Sequence, residues 1–222
     1  MRNLLFLLPV ILSLSACSGE ITDLDRSGLK GEVKRITEHQ YEAFHKDDRW
    51  TAGKPVMFGH RIMNYDKDGL YMKSFVLSEG GDTIGYTTCR HEGGDLVEET
   101  FHSADGRTAR TILERVSDEQ VNFEMWEGER LHYEGANYYD SKGRTEKQAR
   151  VVNGVEEFSY YVYEKDLMVE SYQENGSGVR SGTQIFEYTE FDDKGNWTTR
   201  LIYLTKDKIV PEMLTKREYE YY

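Results

Sequence analysis

Turn segments of one kind recur along the chain and constrain its fold more than any other feature. Each begins with a ring-bearing residue and ends in glycine four positions later, at Tyr65–Gly69, His102–Gly106, Tyr139–Gly143 and Phe191–Gly195. The first three glycines are 37 residues apart, and the fourth follows after 52. In the motif aromatic-Asp-x-x-Gly, Asp bonds its own backbone to begin a turn, and glycine accepts the positive φ that closes it. These segments are therefore predicted to be hairpin tips of a repeat architecture.

The residues between these tips have the pattern of β-strands. Further glycine turns lie between them, so that turns follow one another about every 10 to 14 residues. Val121, Phe123 and Met125 alternate with polar residues, which is the period of a strand and not of a helix. The sequence thus predicts an all-β fold over residues 29–222, an antiparallel meander of repeated β-hairpins in an extended or a rolled sheet.

The first residues have the composition of an export signal. Arg2 precedes an apolar run from Leu4 to Leu14, and small residues stand before Cys17. The run is too short to cross a bilayer, which needs about 20 helical residues. Residues 1–16 are therefore predicted to be a signal peptide, and the polar residues 17–28 a flexible tether.

Leu14-Ser15-Ala16-Cys17 resembles the lipobox of bacterial lipoprotein precursors. The resemblance implies that the Cys17 thiol is lipidated, that the chain is cut before it, and that the lipid holds the protein on a membrane. Ser18, not Asp, follows the cysteine, so we expect the outer membrane of the cell envelope. A conventional secretory signal with a chance cysteine is the alternative.

The repeated units also resemble a known class of repeat. With their flanking Thr, Tyr and Arg residues they are similar to the YD repeats of RHS-type proteins. Leu29–Lys34, Asp192–Trp197 and the tail Glu220–Tyr222 resemble segments of uncharacterised bacterial lipoproteins. The resemblance covers residues 29–222. It implies a meander of hairpins and no particular reaction.

The charge of the chain restricts its partners. There are 28 basic and 40 acidic side chains, giving a formal net charge of −12. Nucleic acid is excluded as a partner, because phosphate binding requires a basic footprint. A basic protein partner is compatible with this charge.

No pattern of residues indicates a catalytic site, a metal or another cofactor. Cys89 and His91 would face the same way in a strand, but nothing in the spacing gathers further ligands around them. Asp66 and Asp68 are arranged as in a calcium loop, but Tyr71 occupies the position where the EF-hand pattern requires glycine. We therefore expect the protein not to be an enzyme and to hold no cofactor.

Two sets of residues are candidates for binding or modification. Tyr138, Tyr160, Tyr163 and Trp197 are possible ligand-stacking aromatics, although cross-strand pairing explains such residues equally well. Trp197 is predicted to share a strand face with Thr199, Leu201 and Tyr203 by alternation. Thr83 lies in Asp82-Thr83-Ile84, which resembles an acceptor of bacterial O-glycosylation.

These observations favour a cell-envelope lipoprotein with a non-catalytic role. It would bind or scaffold a protein or glycan partner through a broad sheet face or its hairpin tips. A glycan-acting hydrolase is an alternative, for which two carboxylates about 5 to 10 Å apart in a pocket would be the sign. An immunity protein that masks a basic secreted toxin is another.

Overall fold

A computed structural model describes residues 21–57 and 59–222. The predicted signal peptide and Cys17 lie outside the described residues. One short helix is followed by fifteen strands: α1 (Asp23–Arg26), β1 (Val33–Lys46), β2 (Arg49–Pro55), β3 (His60–Tyr65), β4 (Tyr71–Leu77), β5 (Thr83–Glu92), β6 (Asp95–Ser103), β7 (Thr108–Ser117), β8 (Gln120–Glu127), β9 (Arg130–Tyr139), β10 (Thr145–Val152), β11 (Val155–Glu164), β12 (Leu167–Asn175), β13 (Arg180–Phe191), β14 (Trp197–Tyr203) and β15 (Met213–Tyr221).

The strands form one antiparallel sheet that closes into a barrel. From β3 to β15 each strand pairs with its neighbours in sequence, and β1 pairs with both β3 and β15. This last pairing closes a ring of fourteen strands, and β2 forms a hairpin with the second half of β1. The predicted meander of hairpins is confirmed, in its rolled form.

The aromatic-Asp-x-x-Gly tips have the turn chemistry that the sequence predicts. Asp140 Oδ1 accepts hydrogen bonds from the backbone N–H groups of Lys142 and Arg144, at 2.9 and 3.0 Å. Gly143 has a φ of 76° and donates its N–H to the Asp140 carbonyl, at 2.9 Å. The tips that begin at Asp66 and Asp192 use the same bonds.

The equal spacing of the tips places them at opposite ends of the barrel. The tips at 66–70, 103–107 and 140–144 are separated by three strands each time. Because three is odd and neighbouring strands are antiparallel, successive tips alternate between the two ends. The tips at 66–70, 140–144 and 192–196 share the end that also holds α1, named here the plugged rim. The other end is named the opposite rim.

The helix α1 fills the plugged rim from inside. Leu24 is 8% exposed and packs against Ile36 and Met63 of the barrel wall. Asp23 Oδ2 accepts a hydrogen bond from the Tyr71 backbone N–H at 2.8 Å and lies 3.0 Å from His91 Nε2. The prediction of a flexible tether over residues 17–28 is therefore wrong for residues 21–28. Asp23 bonds to the rim and Leu24 is buried, while Asp25 and Ser27 remain exposed.

Alternation along the strands gives the barrel an inner and an outer face. The inner face is the one that α1 packs on. Charged side chains occupy outward positions around the wall, at Lys73, Glu98, Arg110, Glu124, Glu134, Lys147, Glu170, Glu187 and Lys216. Within residues 21–57 and 59–222, no helix has the length and apolarity needed to cross a bilayer.

One outer region is covered by the chain itself. Ile185, Leu201, Tyr203 and Leu214 form an apolar cluster on the outer face of β13, β14 and β15. Residues of the β1–β2 hairpin, among them Trp50, pack over this cluster and bury it. The hairpin thereby removes an apolar patch from solvent.

Candidate functional site

An open groove of about 510 Å³ crosses the outer face of strands β7 to β11. Its apolar lining includes Ile112, Ala136, Tyr138, Ala149, Val151 and Phe158. The cross-strand partners Ala136 and Ala149 form a floor of small side chains, and Ala136 is buried. Larger side chains on both sides of this floor give the groove its depth.

Four carboxylates line the same groove, at Glu114, Glu124, Glu134 and Glu156. Glu124 and Glu134 are direct register partners on β8 and β9, a position in which Cβ atoms are about 4.5 to 5.5 Å apart. No cationic side chain of residues 21–57 and 59–222 lies within 4.0 Å of any of the four. Arg150 also lines the groove, but it is paired with Glu157, at 2.8 Å. The groove is therefore strongly negative.

Two of the predicted stacking aromatics lie at this groove. Tyr138 and Tyr160 flank Lys147 on the outer face, and each ring centroid is 5.6 Å from the Lys147 ammonium. Tyr160 also stacks on Tyr172, with centroids 4.9 Å apart. These contacts form a cross-strand ladder along one side of the groove. Such pairing stabilises the sheet and explains Tyr138 and Tyr160 without a ligand. Ligand stacking on Tyr138 and Tyr160 stays a prediction.

The other two aromatics lie inside the barrel. Tyr163 and Trp197 line a chamber of about 280 Å³ between the plug and the inner wall. The prediction that Trp197 shares a face with Leu201 and Tyr203 is wrong. Thr198 is an extra, unpaired residue between the pairs Phe191–Trp197 and Glu190–Thr199, and this β-bulge turns Trp197 inward. The four predicted aromatics thus belong to two different sites.

A buried ionic cluster holds the inner wall beside this chamber. Glu38 is 2% exposed and accepts hydrogen bonds from Arg217 Nε at 2.6 Å and from Arg61 Nε at 2.9 Å. Burial alone raises the pKa of the Glu38 carboxyl, but the two guanidinium groups outweigh it and lower the pKa to about 2. Glu38 is therefore ionised at neutral pH.

The remaining sequence candidates lie apart from the groove. Thr83 is exposed at the opposite rim, where β5 begins, and its glycosylation stays a prediction. Burial and the nearby Glu99 raise the pKa of the Cys89 thiol to about 12, so this thiol stays protonated. Across the described ranges 21–57 and 59–222, no three His, Cys, Asp or Glu side chains are grouped as metal ligands.

Glu124 and Glu134, the central pair of the groove, were not predicted as site residues from the sequence. The tight turn at Gly128-Glu129 pairs Glu127 with Arg130, and that register would place Tyr133 opposite Glu124. A bulge between Met125 and Trp126 shifts the register by one and brings Glu134 there instead. No pattern in the sequence predicts this bulge.

The chain was compared with known families, curated proteins and solved structures. The chain matches no protein-family model. It also matches no curated protein. It is similar in structure to a porin-like protein from Bacteroides uniformis, with 11% identity, a TM-score of 0.47, and coverage of 86% of this chain and 98% of the other. A porin-like protein from Bacteroides vulgatus gives 10% identity, a TM-score of 0.49, and coverage of 85% and 98%. Similarity this remote does not assign a function to the chain.

Proposed function

We propose that the chain is a lipid-anchored protein of the cell envelope, at the outer membrane, with a non-catalytic role. It binds a basic segment of another protein in the acidic outer groove. The observation that carries the proposal is the direct opposition of Glu124 and Glu134, two exposed carboxylates without a cation beside them. Like charges in this position destabilise a sheet, and a bound Lys or Arg side chain would relieve the repulsion.

The lining of the groove supports a polypeptide with both basic and apolar residues. Ile112, Val151 and Phe158 offer apolar surface beside the carboxylates. Lys and Arg side chains have apolar stems and charged heads, so one side chain can use both kinds of surface. A strongly basic secreted toxin, as in an immunity complex, is one form that such a partner can take.

The groove supports the hydrolase alternative less well. It does contain a pair of close carboxylates, as a glycosidase requires. However, Glu124 and Glu134 stand side by side on one wall and are both exposed. A glycosidase needs its two carboxyl groups on either side of the scissile bond, with the general acid in an enclosed apolar setting.

The lipid would also orient the barrel. Ile21 lies beside Gly143 at the plugged rim, and the four residues from Cys17 to Ile21 can span at most about 14 Å. A lipid on Cys17 would therefore keep the plugged rim close to the membrane. The groove would then open sideways, and Thr83 on the opposite rim would point away from the membrane.

Peptide binding tests the groove. In the Cys17→Ser chain, we expect a labelled peptide of alternating lysine and leucine to bind, with affinity falling as salt rises. The double substitution Glu124→Gln and Glu134→Gln should weaken binding roughly 2- to 30-fold, since each exposed pair contributes about 0.2 to 1 kcal/mol. Fluorescence anisotropy measures both effects.

Two controls make this experiment decisive. Glu212→Gln with Glu218→Gln removes the same charge at exposed sites outside the groove and should leave the affinity unchanged. A peptide of alternating glutamate and leucine should not bind. Equal affinities for the two double variants would refute the groove, and tight binding of cellohexaose that neither variant weakens would favour a glycan partner instead.

Fractionation tests the anchor separately. Replacing Cys17 by Ser should move the protein from the membrane fraction to the soluble fraction of the native cell, because the lipid would be the sole attachment. A Ser18→Ala variant keeps the cysteine and should remain on the membrane. Persistent membrane attachment of the Cys17→Ser protein would refute lipid anchoring.

A further inference from the structure

The charged side chains that line the chamber behind the plug are mainly cationic, whereas those that line the outer groove are mainly carboxylates. The chamber has a volume of about 280 Å³. Its lining also includes Asp166, which is paired with Lys142. Arg217 and Arg200 both pack on Trp197, with their Cζ atoms 3.9 and 4.6 Å from the ring centroid. Tyr188, whose hydroxyl donates to the Met168 carbonyl at 2.7 Å, adds a second ring.

The arginines of the chamber differ in their partners. Arg217 is bonded to Glu38, as described above. Arg144 Nε donates to Asp140 Oδ2 at 2.8 Å, and Arg26 Nη1 donates to Asp23 Oδ1 at 3.2 Å. These three guanidinium groups are therefore neutralised by carboxylates of the protein.

Arg200 is the exception. Among residues 21–57 and 59–222, no carboxylate lies within 4.0 Å of its guanidinium. Its Nε is buried and has no hydrogen-bond partner in the described part of the chain. Burial and the nearby Arg217 lower the pKa of Arg200. Glu38 and the Tyr188 hydroxyl act in the opposite direction and favour the charged form. A buried N–H group without a hydrogen-bond partner is costly, and contact with the rings of Trp197 and Phe186 does not supply a partner for Nε.

We propose that the chamber binds a small organic anion, with its carboxylate or phosphate group on Arg200 and its body against Trp197 and Tyr188. A guanidinium presents a planar fork of donors that matches either group. The volume suits a molecule with one ring, since drug-sized ligands occupy pockets of about 300 to 1,000 Å³. This site is separate from the groove, and it stands or falls without the proposed function.

Thermal unfolding with matched sugars tests the proposal. Glucuronate and glucose 6-phosphate carry the two candidate groups on nearly the same ring, and glucose carries neither. We expect at least one of the two anions to raise the Tm at millimolar concentration and to change the tryptophan fluorescence, while glucose does neither. The anion with the larger shift identifies the preferred group. No shift with either anion would overturn the proposal.

Substitution of Arg200 tests its role directly. Arg200→Met removes the charge but keeps an apolar stem, so the Tm without ligand should stay or rise and the anion-dependent shift should disappear. The control Arg110→Met removes an exposed arginine of the outer wall and should leave the shift intact. An undiminished shift in Arg200→Met would overturn the proposal.

A conservative variant covers the case in which Arg200→Met does not fold. Arg200→Lys keeps the charge and loses the fork, so the shift should weaken several-fold while the protein stays folded. If Arg200 only anchors Trp197, the shift in Arg200→Lys will equal that of the unsubstituted protein, which contradicts the proposal.

Discussion

The outer groove and the inner chamber use charge in opposite ways. Outside, Glu124 and Glu134 face each other in solvent without a cation. Inside, the Nε atom of Arg200 is buried without a hydrogen-bond partner, while Glu38 accepts hydrogen bonds from two arginines. The net charge of −12 conceals this separation. Successive side chains of a strand point to opposite faces, so the outer and inner faces of a barrel can carry different charges. The groove lies outside β7 to β11, and Arg200 and Arg217 lie inside β14 and β15.

The same comparison predicts that replacing a glutamate lowers the stability of the protein on the inner face and raises it in the outer groove. Removal of Glu38 from the inner wall leaves the largely buried Arg217 without its carboxylate partner. A glutamate removed from the outer groove relieves repulsion between exposed charges.

Glu38→Gln should have the largest effect. It leaves Arg217 and Arg61 without their shared carboxylate, and breaking a buried ion pair costs about 3 to 5 kcal/mol. Urea unfolding measures this loss of free energy. Glu218→Gln, on the exposed outer face of β15, is the matched control and should change stability by less than about 0.5 kcal/mol. Equal stabilities of the two variants would contradict the role given to Glu38.

Acid should remove the same stabilisation from the unsubstituted protein. Because the folded pKa of Glu38 is lowered from 4.5 to about 2, its contribution is fully present above about pH 4.5 and is lost as the pH falls through about 2. The contribution is on the order of 3 kcal/mol. The stability difference between the unsubstituted protein and Glu38→Gln should therefore shrink below pH 4.5. A constant difference from pH 7 to pH 2.5 would show that Glu38 does not cause it.

Leu24→Ala tests the plug that closes the chamber. The substitution removes the buried side chain of α1, and we expect a loss of about 2 kcal/mol, the low end for buried leucine because the plug lies at a rim. Ile21→Ala, which truncates an exposed side chain, is the control. Hydrogen exchange should be faster at the Tyr71 amide in Leu24→Ala, because Asp23 no longer holds it firmly. Unchanged protection there would refute the contribution of the plug.

Glu124→Gln should have the smallest effect, and of opposite sign. Removing one of two opposed carboxylates should stabilise the protein by about 0.2 to 1 kcal/mol. The gain should decrease at high salt, which screens the repulsion in the unsubstituted protein. Urea unfolding at low and high salt measures it. Glu124 accepts a hydrogen bond from Trp126 Nε1 at 3.0 Å, which a glutamine side-chain oxygen can also accept, so a destabilised Glu124→Gln protein would contradict the repulsion.

Local interactions made the strands and tips predictable. The Asp and Gly residues of the tips bond within five residues, so Asp140 and Gly143 act as their sequence indicates. Alternation placed Val121 and Phe123 on one face, and both are buried. The residues of the candidate site were harder to predict from the sequence than the strands and tips. Tyr138 and Tyr160 do line or flank the groove, but Tyr163 and Trp197 belong to the chamber.

What the sequence determined by itself is what depends on near neighbours: the β class, the hairpin order and the turn geometry. The tertiary structure decided the rest, because each deciding contact joins distant residues or depends on a bulge. Closure requires β1 to meet β15 across nearly the whole described chain. The plug requires Leu24 to reach Met63. One unpaired residue turns Trp197 inward, and another brings Glu134 opposite Glu124. A single-residue shift reverses or re-pairs side chains on a strand, so no local pattern could place the acidic groove outside or the arginines inside.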